Sequence, residues 1–197
     1  RIIETPSGVL NSIGLENVGL DAFLEKKLPV LLKKKATVIP NIAAHSEDEN
    51  VELCSILSRT RGISALELNV SWPNVKEGGI AFGTDLAVFS RLLEKVRPVT
   101  DCPLIVKLSP NVTDIRPFAK RAEQLGADAL SAVNTFLGMK IDVRTGKPHF
   151  NNRVAGLSGP AIRPLAVRVV FQMREAVSIP IIGIGGIAAL DDVLEFM

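Results

Sequence analysis

Lys107 lies inside an apolar run, Ile105-Val106-Lys107-Leu108. A buried ammonium is costly unless it meets an anion or an electron-rich ligand; the plainer alternative is a lysine whose head reaches solvent. Asn69, Asn74 and Asn134 carry paired donors and acceptors suited to a flat polar ligand, although any one of them alone serves equally well as a turn or cap residue. Two glycine-rich segments each precede a helical pattern: Gly156-Leu157-Ser158-Gly159-Pro160 and Gly183-Ile184-Gly185-Gly186. Bare backbone at a helix start lets N–H groups approach a phosphate; a tight strand-to-helix turn, with Ser158 as a simple cap in the first case, is the other reading. The second segment is not the dinucleotide fingerprint, because the third spaced glycine is absent and position 188 is Ala188. The stretch Asn69-Val70-Ser71-Trp72-Pro73-Asn74, with Gly78 and Gly79 soon after, reads as a strand end running into a lid-like loop. His45 and His149 have no partners at ligand spacing and are read as surface or structural residues. Asp191 and Asp192 are read as a solvated helix face or first-turn acids.

Positioning these residues falls to short apolar runs that alternate with longer helical patterns. The runs are Ala36 to Ala43, Ala65 to Val70, Leu104 to Leu108, Ala129 to Val133 and Ile179 to Ile184. Several are apolar on successive residues, as parallel strands covered on both faces are. Between them, Leu53, Ile56 and Leu57 mark one stripe, and Leu86, Phe89, Leu92, Leu93 and Val96 a second. Ile115, Phe118, Ala122 and Leu125 form a third that ends at Gly126, and Ile162, Leu165, Val169, Met173 and Val177 a fourth. These spacings fit helices with one buried face, and Pro160 suits the first turn of the fourth. Repeated strand–helix–strand order means a parallel sheet, either a closed (β/α)8 barrel or an open doubly wound sheet. Asn69, Lys107 and Asn134 each stand at or just past the C-terminal end of a successive strand. A barrel gathers such residues at one rim, whereas an open sheet spreads them along a line. The expectation is therefore one domain over residues 1–197: a (β/α)8 TIM barrel truncated at both ends, with about five of eight strands present.

Composition removes several function classes. The balance of 47% hydrophobic and 22% charged residues is that of a folded domain with a substantial core. A net charge of +2 gives no strong pull toward nucleic acid or an anionic membrane, and Lys33-Lys34-Lys35 reads as the solvated end of a helix. Cys54 and Cys102 show neither metal-ligand spacing nor a disulfide framework, and are read as buried reduced thiols of a cytoplasmic protein. No apolar run is long enough to span a bilayer, and residues 1–6 do not form a signal peptide.

Five segments, taken together, resemble the dihydroorotate dehydrogenases: LNVSWPNVKEGGIAFGTD, VKLSPNVTDI, GADALSAVNTFLG, AGLSGPAIRP and IPIIGIGGI. The likeness runs from Asn11-Ser12-Ile13-Gly14-Leu15 to Gly185-Gly186, and Gly79-Ile80-Ala81-Phe82-Gly83-Thr84-Asp85 looks like the class 1B branch. That resemblance implies oxidation of dihydroorotate to orotate with FMN, in pyrimidine synthesis. It also implies a homodimer joined to an iron–sulfur flavoprotein subunit that carries FAD and a [2Fe–2S] cluster and passes electrons to NAD. By position, Lys107 is expected against the FMN ring, with Asn69 and Asn134 touching both flavin and substrate. Asn11, Asn74 and Thr135 are expected to hold the substrate, helped by backbone around Ile13, Gly14 and Leu15. Gly159, Gly185 and Gly186 are expected to hold the FMN phosphate. Nothing in the pattern calls for a metal or for nucleic acid.

One position departs from the family pattern. The catalytic base, a cysteine in class 1 enzymes and a serine in class 2, falls where this chain has Trp72. Indole N–H is a donor with no basic lone pair, so Trp72 is not competent as that base. Ser71 is adjacent, but neighbouring side chains along a strand point to opposite faces. Two other readings follow: a non-catalytic flavin- or ligand-binding relative, and another FMN barrel oxidoreductase acting on a dihydropyrimidine or dihydrouridine.

Overall fold

A computed structural model of the chain describes residues 1–14, 16–71 and 82–197. The chain opens with strands β1 (Ile2–Thr5) and β2 (Gly8–Asn11), then helix α1 (Leu20–Ala22), which continues through a π-turn (Phe23–Lys27) into α2 (Leu28–Lys33). Next come β3 (Asn41–Ile42), α3 (Glu47–Ser58), β4 (Leu66–Asn69), α4 (Leu86–Val96), β5 (Leu104–Lys107), α5 (Arg116–Gln124) and β6 (Ala129–Ala132). Four short strands follow: β7 (Phe136–Met139), β8 (Ile141–Asp142), β9 (Lys147–Pro148) and β10 (Val154–Ser158). A 3₁₀ turn (Pro160–Ile162) leads into α6 (Arg163–Ala176), then β11 (Ile181–Gly183) and α7 (Leu190–Phe196).

The five expected runs become one parallel sheet in the order β3-β4-β5-β6-β11. The order never reverses, and α3, α4, α5 and α6 pack side by side on one face. An open doubly wound sheet needs a reversal and helices on both faces; this is instead an arc of a (β/α)8 barrel. Under the helices lie Leu66, Leu68, Leu104, Val106 and Leu130, all fully buried against Phe89, Leu92, Ala119, Val169 and Met173. The alternate residues Glu67, Asn69, Lys107 and Ser131 take the opposite, inner face, as the two-residue period of a strand requires. An edge-to-face contact between Phe89 and Phe118, with centroids 5.4 Å apart, fixes α4 on α5.

The structure trims several expectations. The run from Ala36 to Ala43 pairs regularly only over Asn41–Ile42, with an isolated bridge at Val38, because Pro40 has no N–H to give the ladder. The buried stripe of α3 is Glu47, Asn50, Cys54 and Leu57, while Ile56 faces solvent. Leu86 and Leu165 are likewise exposed, and Ala166 and Val170 take the buried places on α6. Gly126, at φ +88°, ends α5, and Lys33–Lys35 lie exposed at the end of α2. Cys54 is buried and Cys102 half-buried, both free; burial, with Cys102 nearby, pushes the Cys54 thiol up to about 12, so it stays an inert part of the core.

The strand count needs correction. Six further strands lie outside the five apolar runs: among the described residues there are eleven. The extra ones add nothing to the barrel, because all are antiparallel. Four form a separate sheet ordered β1-β2-β10-β7, and β8 pairs with β9. Their sequence signal is weak because they are only two to five residues long and carry Gly8, Gly138, Gly156 and Pro148, and β2 finds its second partner, β10, across most of the chain. Leu10, Phe150 and Ala155 make a small core of their own. Because β7 starts four residues after β6 ends, this sheet begins at the C-terminal rim of the barrel arc.

Glu47 ties α3 to α4. Its carboxylate accepts from Lys95 Nζ and from Arg91 Nε, each at 2.7 Å, and is itself buried. The hydrogen bond from Lys95, seconded by Arg91, holds the Glu47 carboxyl below the usual carboxylate range. Such a group stabilises the fold above its unfolded value, about 4.3, and loses that contribution as pH falls through the lower folded value. Urea unfolding of the full-length protein against Glu47→Gln should show a stability gap at neutral pH that closes below about pH 4. A gap of unchanged size at pH 3 would contradict this account.

Candidate active site at the strand ends

Register brings the expected side chains to one place. Asn69 of β4 lies opposite Lys107 of β5, and Lys107 opposite Ser131 of β6. From Asn69 a chain of hydrogen bonds crosses the inner face. Its Nδ2 donates to Asn41 Oδ1 at 3.3 Å, and its Oδ1 accepts from the backbone N–H and the hydroxyl of Ser71. Ser71 Oγ in turn accepts from Asn134 Nδ2 at 2.7 Å, and Asn134 Oδ1 accepts from Thr135 N at 2.8 Å. Ser71 is buried, on the Asn69 side because it is two residues along. Asn69, Lys107 and Asn134 are thus gathered on one rim rather than spread along a line.

Beneath them lies a residue that the sequence reading passed over. Glu67 Oε1 accepts from Ser131 Oγ at 2.6 Å, and Oε2 accepts from Asn41 Nδ2 and stands 3.9 Å from Lys107 Nζ. Both side chains are mostly enclosed, Lys107 at 18% exposed and Glu67 at 16%. A charged residue inside the apolar run Ala65-Leu66-Glu67-Leu68 was a usable signal, of the same kind as Lys107. A second overlooked residue, Asn111, donates to Thr135 O at 3.1 Å and accepts from Leu137 N at 3.0 Å, fastening the loop after β5 to β7.

The other expected residues separate into groups. Thr135 packs against Gly156, which has no room for a side chain there. Asn11 donates its Nδ2 to Gly156 O at 3.4 Å, inside the antiparallel sheet and not within the strand-end network. Ile13 and Gly14 lie exposed past β2. Leu15, Trp72, Asn74, and Gly78 to Ala81 fall outside the described residues, and with them most of the lid-like loop. His149 stacks edge-on against Phe150. Among the described residues, no cluster of His, Cys, Asp or Glu could hold a metal ion, and no helix is long and apolar enough to cross a membrane. A cleft of about 370 Å³ lined by Thr84, Asn111, Thr113 and Phe118 opens on the same rim but contains none of the network side chains.

The two glycine segments meet at the start of α6. Gly159 (φ +94°) precedes the 3₁₀ turn, and a Cβ on it would stand 3.0 Å from Gly8 Cα. Gly185 (φ +123°) and Gly186 (φ +74°) pack on the same helix start: a Cβ at 186 would lie 2.8 Å from Arg163 N. Only glycine suits such backbone. Gly156 to Ser158 belong to β10, not to a turn, and Ser158 Oγ donates to Val9 O instead of capping the helix. Asp191 and Asp192 are both first-turn acids of α7, as one of the two readings has it; Asp191 is exposed, and Asp192 is buried instead of lying on a solvated face. It pairs with Arg163 and accepts from the N–H groups of Ala188 and Ala189, at 2.8 and 2.9 Å, which clamps the Gly185-Gly186 turn to α6.

The entire chain, residues 1–197, matches the family described as dihydroorotate dehydrogenase. The chain belongs to the dihydroorotate dehydrogenase family. Similar relatives are catalytic subunits of dihydroorotate dehydrogenase B (NAD(+)). Those of Anoxybacillus flavithermus and Geobacillus kaustophilus are 52% and 53% identical over 196 residues, which is 100% of this chain and 63% of each relative. That of Listeria welshimeri is 51% identical over 197 residues, 65% of its length. The chain therefore spans just under two thirds of the length of these relatives. The mostly enclosed lysine and the linked amides on this rim supply the kind of donors that a flat, electron-accepting ring calls for.

Proposed function

We propose that the full-length protein is an FMN-dependent dihydroorotate dehydrogenase of the class 1B kind, oxidising dihydroorotate to orotate in pyrimidine synthesis. The observation that carries this reading is the meeting of Lys107, Asn69 and Asn134 at one barrel rim, in a chain whose relatives are catalytic subunits of that enzyme. FMN, when bound, supplies the acceptor for the hydride. Lys107 holds positive charge where charge develops on reduction. Asn69 and Asn134, already locked through Ser71, present fixed amides to the flat rings, so little ordering is needed on binding. Gly159, Gly185 and Gly186 offer backbone N–H groups to the phosphate. Asn11, Asn74 and Thr135, with backbone around Ile13, Gly14 and Leu15, hold the substrate's amide and carboxylate groups. Electrons then pass to NAD through an iron–sulfur flavoprotein subunit bearing FAD and a [2Fe–2S] cluster, in a cytoplasmic assembly built on a homodimer.

Trp72 favours a second reading, a non-catalytic flavin- or ligand-binding relative, because an indole cannot take the substrate proton. A third, another FMN barrel acting on a dihydropyrimidine, is opposed by the Gly79-to-Asp85 phrase. Calorimetry on the full-length protein with FMN and then orotate separates them. Binding of both supports the dehydrogenase. FMN binding without orotate binding supports the non-catalytic relative, and failure to bind FMN overturns every flavin reading.

A further inference from the structure

We propose that Glu67 is a positioning residue that sets the place and the effective charge of Lys107, and through it the reduction potential of the flavin. The inference rests on the flavin reading above. Three strands converge on this carboxylate: Asn41 from β3, Lys107 from β5 and Ser131 from β6. A carboxylate this enclosed is costly unless its oxygens are hydrogen-bonded, and both are, by neutral donors: Ser131 Oγ on one and Asn41 Nδ2 on the other. Neither bond uses Lys107. At 3.9 Å the ammonium is close enough for strong charge attraction yet beyond hydrogen-bond reach. Glu67 therefore draws the lysine head down against the inner face and leaves its three N–H donors for a ligand above. It also offsets part of the positive charge that Lys107 would present to a ring gaining negative charge.

This arrangement fixes a sign. Removing the Glu67 charge leaves Lys107 uncompensated, which favours the reduced flavin and raises its potential. Removing the Lys107 charge lowers it. Equilibration of the full-length FMN-loaded protein with a reference dye measures both. Glu67→Gln, which keeps the shape and one of the two accepting oxygens, should favour reduction about tenfold, an upward shift of about 30 mV for a two-electron couple; Lys107→Gln should shift it downward. FMN affinity, read from flavin fluorescence, should change little in Glu67→Gln. FMN bound with an unmoved or lowered potential in Glu67→Gln overturns the role of Glu67 alone, whereas wild type that binds no FMN overturns the functional reading and this inference with it. Should Glu67→Gln fail to fold, Ser131→Ala loosens the same carboxylate. Labelling of Lys107 by an amine reagent, followed by mass spectrometry, should then run several-fold faster than in wild type, and an unchanged rate counts against the proposal.

Discussion

Cysteine placed at position 72 of the full-length protein is expected to speed dihydroorotate-driven flavin reduction by about 10²- to 10⁴-fold over Trp72, the usual contribution of a positioned general base. The argument is chemical. Hydride can leave one carbon of the substrate only as a proton leaves its neighbour, and indole N–H has no lone pair to receive that proton. A thiolate has one. The indole is also far larger than a thiol, so the exchange opens room for substrate. Anaerobic stopped-flow mixing with dihydroorotate, following loss of the flavin band, reads the effect directly. Equal rates for the two proteins would remove position 72 from the chemistry. No bleaching in either would leave the non-catalytic relative as the better reading.

In that Trp72→Cys background, Lys107→Ala should slow flavin reduction by about 10²- to 10⁴-fold, or about 3–5 kcal/mol of barrier. Lys107 is mostly enclosed and its nearest anion, Glu67, offsets part of its charge but stays out of hydrogen-bond range, so its N–H donors are left in a poorly solvated place for a ligand. Fixed charge in such a place is worth most where charge develops during reaction. The loss should fall on the reduction rate at saturating dihydroorotate, with a much smaller change in half-saturating concentration. Near wild-type reduction would mean that the lysine serves the fold and not the reaction.

Much of this architecture was legible in the sequence, for identifiable reasons. β5 and β6 are buried strands whose apolar runs stand between helices of clear period, so Leu104–Lys107 and Ala129–Ala132 fell within the expected bounds. Lys107 announced itself by being charged in an apolar run. Glu67 carried the same signal, but alternation in Leu66-Glu67-Leu68-Asn69 made it resemble the solvent face of an ordinary strand. Asn111 and Ser71 act through partners 24 to 63 positions away, and no local pattern encodes that. Asp192 looked like a helix-surface acid because its ion-pair partner, Arg163, lies 29 residues earlier. The antiparallel sheet was hard to read for related reasons: its strands are short and glycine-bearing, and the ladder that joins the β1–β2 hairpin to β10 spans about 145 positions, so no window of sequence contains both of its sides.

That long range has a consequence for biosynthesis. Asn11 reaches Gly156 across 145 positions, so the first hairpin emerges from the ribosome well before the strand it must join. At about 5–20 residues per second the interval is roughly 7–30 s. Through it the edge of β2 lacks its neighbour β10, and Leu10 lacks the partners Phe150 and Ala155 that bury it. A nascent chain halted before residue 154 has already made β3, β4, β5 and β6 yet has no means of assembling the sheet that starts at their rim. Late closure of this kind belongs to slow-folding topologies, and until it happens the edge of β2 stays open to wrong pairing.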